Sequence, residues 1–139
     1  MEYRSEGNTV VAKLDHGADP FGDIKEILSK MGKDGAVVVS GIGMIRDFKL
    51  GYYDSEEGKY SWEVFEKPME LVSLGGSVSD DGTVHLHASV SGDDHVLFGG
   101  HLEGGRVFNV LELVMMVFNE ISIKREYDGD RDMNLLSVR

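Results

Sequence analysis

Between Thr83 and Glu103 the chain alternates in a way that only a β-hairpin accommodates. The even positions of Thr83–Ser91 are Val84, Leu86, Ala88 and Val90, and those of His95–Glu103 are Val96, Phe98, Gly100 and Leu102. Successive side chains of a strand point to opposite faces, so these apolar and small residues form one face, directed at a core. The odd positions carry His85, His87, Ser89 and Ser91, then His95, Leu97, Gly99, His101 and Glu103. Three histidines, His85, His87 and His101, therefore share the more polar face. A three-residue turn at Gly92-Asp93-Asp94 pairs Ser91 with His95, His87 with Gly99 and His85 with His101. Directly opposed residues bring their Cβ atoms to about 4.5–5.5 Å, and His85 and His87 are separated by about 6.6 Å of backbone. A two-residue turn would shift the register by one and turn His101 to the other face, against the apolar alternation. In this register Gly99 leaves open space beside His87, or marks a bulge.

Three imidazoles at such separations can converge on one ion. Neutral imidazole is the commonest biological metal ligand, and three histidines with an open fourth position are a known zinc geometry. The chain has no cysteine, so thiolate sites and disulfides are excluded and any metal is held by His, Asp, Glu or water. Zinc or a similar divalent ion is the first expectation, with room for water or a small-molecule ligand at the open position. The plainer alternative is three partly exposed histidines making ordinary hydrogen bonds. His95 lies six residues from His101, about 20 Å along the strand, too far to join them. His16 sits in a loop.

The remaining chain reads as strands around one helix. Thr9–Leu14 is a short strand. Asp19 is placed to cap a helix and Pro20 to open it. Phe21, Ile24, Ile27, Leu28 and Met31 follow at helical spacing, and Gly32 stands where a left-handed cap is expected. Gly35–Arg46, with its Val37-Val38-Val39 run, predicts a buried strand. Lys49–Asp54 and Tyr60–Glu66 predict two strands joined by Ser55–Gly58. Met69–Ser79 is a further strand, with Gly75-Gly76 marking a bulge or a close backbone contact. Val107–Phe118 suits either a buried strand or a buried helix, and its β-branched and aromatic content favours strand. Ser122–Tyr127 is the last strand expected before the tail. One helix at 20–31 with many antiparallel strands predicts a single α+β domain over residues 1–139.

Twenty-five acidic against fourteen basic residues give a net charge of −11. DNA binding draws chiefly on Lys and Arg neutralising phosphates, so this balance disfavours generic DNA binding. Lys124-Arg125 and Arg131 are the basic residues that a local patch would use. Val107–Phe118, interrupted by Asn109 and Glu112, is too short and polar to span a bilayer. With no basic-plus-apolar leader pattern at Met1–Glu6, the expectation is a cytoplasmic protein with no membrane partner. Gly41-Ile42-Gly43 lacks the third glycine and following helix of a phosphate loop. Met115-Met116 reads as core or subunit interface.

Several of these segments together are similar to the plant and prokaryote conserved domain, called PPC or PCC. They are Glu70–Val78, His85-Leu86-His87-Ala88-Ser89, Gly99-Gly100-His101-Leu102 and Glu112-Leu113, with Gly35–Gly43 and Ile123–Tyr127 in support. The resemblance implies an α+β domain with a largely antiparallel sheet, assembled as a homotrimer. It implies a zinc site with His85, His87 and His101 as ligands, in a stand-alone protein with a binding or regulatory role and a family association with DNA binding. Plant members carry an AT-hook, an Arg-Gly-Arg-Pro element that enters the minor groove. No such element occurs here, where the two prolines are Pro20 and Pro68. The plant partner-binding hexapeptide aligns with Lys67–Val72, which keeps Glu70 and the apolar pair but not the Gly-Arg-Phe start. Glu112 matches a family glutamate. It stands as a group orienting a ligand histidine, as the acid or base of a metalloenzyme using a metal-bound water, or as half of a salt bridge at a subunit contact.

Overall fold

Two long strands organise the molecule, described over residues 1–139 by a computed structural model. In chain order the elements are β1 (Glu2–Glu6), β2 (Thr9–Asp15), α1 (Pro20–Met31), β3 (Ala36–Asp54), β4 (Lys59–Phe65), β5 (Met69–Val78), β6 (Val84–Ser91), β7 (Leu97–Val117), β8 (Ile123–Asp128) and β9 (Met133–Val138). The first seven strands form one antiparallel sheet in the order β1-β2-β7-β6-β5-β3-β4, and a further β7–β3 pairing closes β3, β5, β6 and β7 into a ring. β8 and β9 form a separate hairpin. The α+β class and the largely antiparallel sheet agree with the sequence.

The helix matches its expected span. The Asp19 carboxylate accepts from the Phe21 N–H at 3.0 Å, and Pro20 opens the first turn. Such a cap contributes about 1 kcal/mol. Gly32 adopts φ 63°, and the Gly32 and Lys33 N–H groups bond back to Ser29 and Leu28. Ile24, Ile27 and Leu28 are buried in a core shared with Leu14, Phe48, Leu86, Leu102 and Leu111. Each such side chain contributes about 1.5–3 kcal/mol on leaving water.

Two pairs of expected segments prove continuous. Gly35–Arg46 and Lys49–Asp54 are both parts of β3, and Val107–Phe118 continues the strand that carries His101 as β7. Within Val107–Phe118 the buried residues all fall on odd positions, and exposed Asn109, at φ 62°, interrupts the series. Along β7 the buried positions switch from even (Leu102) to odd (Val107, Leu111, Leu113) across Gly104 and Gly105, both at positive φ, and β3 switches from odd (Ile45) to even (Phe48, Leu50) across Asp47 at φ 54°. β1 and β9 were not expected. Both are edge strands without a buried residue, β1 mostly exposed and β9 half exposed, and neither carries a clean apolar alternation in its sequence.

Of Gly75-Gly76, Gly76 is a close backbone contact and neither marks a bulge; the β5–β6 register slips instead between Leu71 and Ser73. A Cβ on Gly76 would lie 2.0 Å from the His85 carbonyl oxygen, whereas one on Gly75 would meet only the Val38 oxygen at 3.8 Å. Gly76→Ala should therefore force β5 from β6 and lower stability by about 2–4 kcal/mol, with Gly75→Ala within about 1 kcal/mol of the parent. Urea unfolding of the two variants checks this, and equal midpoints would contradict the packing described.

Candidate metal centre

The three histidines converge, but by a register different from the one expected. β6 and β7 are connected by five residues, Gly92–Val96, so Ser91 pairs with Leu97, Ser89 with Gly99 and His87 with His101. The longer turn has its own chemistry. The Val96 N–H donates to the Asp94 carboxylate at 3.0 Å, the His95 N–H to the Gly92 carbonyl at 3.2 Å, and His95 adopts φ 60°. The expected pairings of His85 with His101 and of His87 with Gly99 are thus displaced by one pair. Gly99 opens no space beside His87; its neighbours are the Ala88 carbonyl and the Ser89 hydroxyl. A displacement of two positions preserves the facing of every side chain, so the histidines still share one face.

Ring centroids lie 5.1 Å apart for His85–His87, 4.9 Å for His85–His101 and 5.5 Å for His87–His101. One ring nitrogen from each falls within 4.8 Å of the others. His85 and His101 are half-buried and His87 is exposed. The Nδ1 atom of His101 is buried with no hydrogen-bond partner. A buried polar atom without a partner is uncommon and costly, and an ion coordinated at that nitrogen would satisfy it. No carboxylate belongs to the cluster. The donor set fits a divalent ion of the zinc type, held by three neutral imidazoles with one position left open.

Two features around the histidines were not anticipated. Tyr60 and Trp62 stand beside His101, with centroids at 5.4 and 6.0 Å. Gly51 pairs with His101 on one side and Trp62 on the other. A Cβ on Gly51 would lie 2.8 Å from the Trp62 ring, so the missing side chain is what lets the indole reach across β3. The spacing of Tyr60, Trp62 and Val64 along one strand face was the available signal. The second feature is Arg125 on β8. Its Nη2 donates to Ser77 Oγ at 2.9 Å and contacts His85 Nδ1 at 2.8 Å. Nothing in the sequence links Arg125 to His85, since β8 belongs to a different sheet.

Other expected residues lie elsewhere. Glu112 is exposed, paired with Lys13 and Ile42, eleven residues along β7 from His101. At the rise of a strand that is roughly 30 Å or more, so within one chain Glu112 neither orients a ligand histidine nor acts as base at the cluster. His16 Nδ1 accepts from the Asn109 N–H at 3.0 Å, and its ring packs on Phe108. His95 stays in the turn. Of the basic residues considered for DNA, Arg125 turns toward the histidines and Arg131 pairs with Asp128 at 2.9 Å.

Burial is the first cause that lowers the pKa of His85 from 6.5 to about 4, followed by the Arg125 charge and the other two histidines. His101 is lowered by burial first and then by His87, against an opposing pull from Glu103. Both rings are held neutral, the form that ligates metal. Because their folded pKa values are depressed, the unfolded chain takes up protons first as pH falls. In metal-free protein the His85 share of this stability is full above pH 6.5 and is lost progressively down to about pH 4. The thermal midpoint should fall across that window and fall less in His85→Gln; an equally steep drop in the variant would assign it to other groups.

Residues 1–119 match the Plants and Prokaryotes Conserved (PCC) domain. No curated protein matches the chain. Among solved structures, the chain is 30% identical to a metal-containing protein from Archaeoglobus fulgidus, with TM-score 0.79 and 97% of each chain covered. It is 29% identical to a plant- and prokaryote-conserved (PPC) protein of Pyrococcus horikoshii, with TM-score 0.80, covering 98% of this chain and 94% of that one. A Bacteroides thetaiotaomicron protein, provisionally described as DNA binding, shares the fold at TM-score 0.88 and 23% identity, covering 98% of this chain and 96% of that one.

Proposed function

Since the chain belongs to the Plants and Prokaryotes Conserved domain family, we propose that it is a divalent-metal-binding domain of that family. In this reading His85, His87 and His101 are the ligands, zinc is the preferred ion, and the role is binding or regulation. The observation that carries the reading is the meeting of one ring nitrogen from each of three histidines within 4.8 Å on one sheet face, where His101 also has a buried Nδ1 without a partner. The metal content of the Archaeoglobus relative supports it. When bound, such an ion supplies an electrophilic centre with an open position. The residues of this chain supply the rest. β6 and β7 hold the imidazoles apart at ligand spacing, burial keeps two of them neutral, and Tyr60 and Trp62 shield one side. A hydrolytic reading with Glu112 as acid or base has no support from its position on β7. DNA binding rests on the provisional description of relatives, against a net charge of −11.

Metal analysis after exposure to zinc, with calorimetric titration, tests the assignment. Parent protein should bind one ion per chain. His87→Ala and His101→Ala should each weaken binding by at least tenfold, and a parent protein that binds no zinc would overturn the reading.

The homotrimeric assembly implied by the family resemblance has a candidate surface. Val11, Ile42 and Met116 are exposed on one outer face of β2, β7 and β3, with Val114 paired beside Val11. Lys13 and Glu112 face each other within it. We place the contact between copies on this face, where contiguous apolar surface marks an interaction site. Val11→Glu should shift the mass measured by light scattering from trimer to monomer; a parent protein already monomeric would refute the placement.

A further inference from the structure

We propose that the three-histidine centre takes a small oxyanion, a carboxylate or a phosphate, between its metal ion and Arg125, and that Arg125 must release His85 for the metal to enter. This rests on the metal reading above. The first step is the direction of one hydrogen bond. A guanidinium has five N–H donors and no acceptor, so Nδ1 of His85, 2.8 Å from Nη2 of Arg125, is the acceptor. The single ring proton of neutral His85 is then on Nε2. A metal bound at Nδ1 takes the lone pair that Arg125 uses. A metal bound at Nε2 requires the proton to move to Nδ1, where it would face a guanidinium N–H. By either nitrogen, coordination of neutral His85 and its bond from Arg125 exclude one another.

The second step is charge. Three neutral imidazoles contribute no negative charge to a divalent ion, and no carboxylate joins the cluster. Glu103, two residues from His101, is paired with Lys49 at 3.0 Å. A loaded centre therefore places a divalent ion beside a guanidinium with no carboxylate in the cluster to balance them. The third step is a donor without an acceptor: Nε of Arg125 is buried and unpartnered. An oxyanion resolves all three. One oxygen fills the open coordination position, and its other oxygens accept from the guanidinium that left His85. Planar, two-pronged recognition of carboxylate and phosphate is what guanidinium geometry favours. Arg125 is held close because β8 is tied to the turn between β5 and β6, where the Ile123 N–H donates to the Asp80 carboxylate at 3.0 Å.

Cobalt(II)-loaded protein provides the test, since its visible absorption reports a change of ligand at the metal. Parent, Arg125→Met and Arg125→Lys proteins are titrated with inorganic phosphate, acetate and chloride at constant ionic strength. An oxyanion should change the parent spectrum, and Arg125→Met should weaken that response at least tenfold. Arg125→Lys, which keeps the charge but loses the fork, should fall between them, and the chloride response should be alike in all three. A stronger response to phosphate assigns a phosphate ligand, and a stronger response to acetate a carboxylate. In a non-coordinating buffer, Arg125→Met should bind zinc several-fold more tightly than the parent, because the competitor for His85 is gone. Metal binding with no oxyanion response, or with responses equal in parent and Arg125→Met, overturns this proposal and leaves the metal reading standing. Absence of metal binding in the parent overturns both.

Discussion

One row of cross-strand neighbours governs the centre. Gly75 of β5 pairs with His87 of β6, His87 with His101 of β7, His101 with Gly51 of β3, and Gly51 with Trp62 of β4. Neighbours in such a row share a face and stand about 5 Å apart. Two imidazoles therefore sit side by side between two residues that have no side chain. The Gly75 side is open, and the missing side chain of Gly51 lets Trp62 lean toward His101. The third imidazole, His85, comes from the next row, opposite Ser77, which also anchors Arg125. The geometry depends on β7 serving as partner to both β6 and β3 near residue 101. If either pairing slipped by one residue, the row would lose a histidine to the core face.

That arrangement also sets the electrostatics. Half-buried rings near one another and near a guanidinium resist protonation, which fixes His85 and His101 in the neutral form. A site prepared in this way costs little to deprotonate when an ion arrives. It is also a site under tension in metal-free protein. One buried imidazole nitrogen and one buried guanidinium nitrogen lack partners there, and each such group costs about 1–3 kcal/mol. The neighbouring aromatic rings lower the local polarity further. The same features that make the cluster a poor place for protons make it a good place for a cation that brings its own anion.

The shared face of the histidines was legible because alternation depends only on parity. Register was not, because it depends on turn length. Gly92-Asp93-Asp94 reads as a complete turn, yet His95 and Val96 belong to it as well, with Asp94 bonding to the Val96 N–H and His95 in the left-handed region. The error was even-numbered, so the faces survived and only the pairing moved. The helix was legible to the residue because capping is local: Asp19, Pro20 and Gly32 act within a few positions. Long-range partners left no such trace. Arg125 reaches His85 across 40 residues, and family resemblance offered Glu112 a role at the histidines, beside that of a salt-bridge partner, although β7 carries it far along the strand. Edge strands β1 and β9 were missed for a related reason. Exposed on most sides, they need no apolar pattern to pair.

The separation along β7 bears on what the protein can bind. His101 lies near one end of the strand, and the apolar surface around Val114 and Met116 lies at the other, so a second copy covering that surface leaves the histidine row open to solvent. A duplex is a poor candidate for that opening. Phosphate tracking needs a run of unbalanced positive charge. Here Lys13, Lys30, Arg46, Lys49, Lys59, Arg131 and Arg139 each lie within ion-pair distance of an acid. Such exposed pairs add little stability, but they occupy half of the fourteen cations, and the other half stand on a surface that carries twenty-five acids. The positive charge that remains at the histidines is local, one guanidinium and, in the loaded state, one ion. A potential of that extent suits a single small anion that can enter between His85 and Arg125. A polyanion would have to bring many phosphates against a surface of the same sign to deliver one.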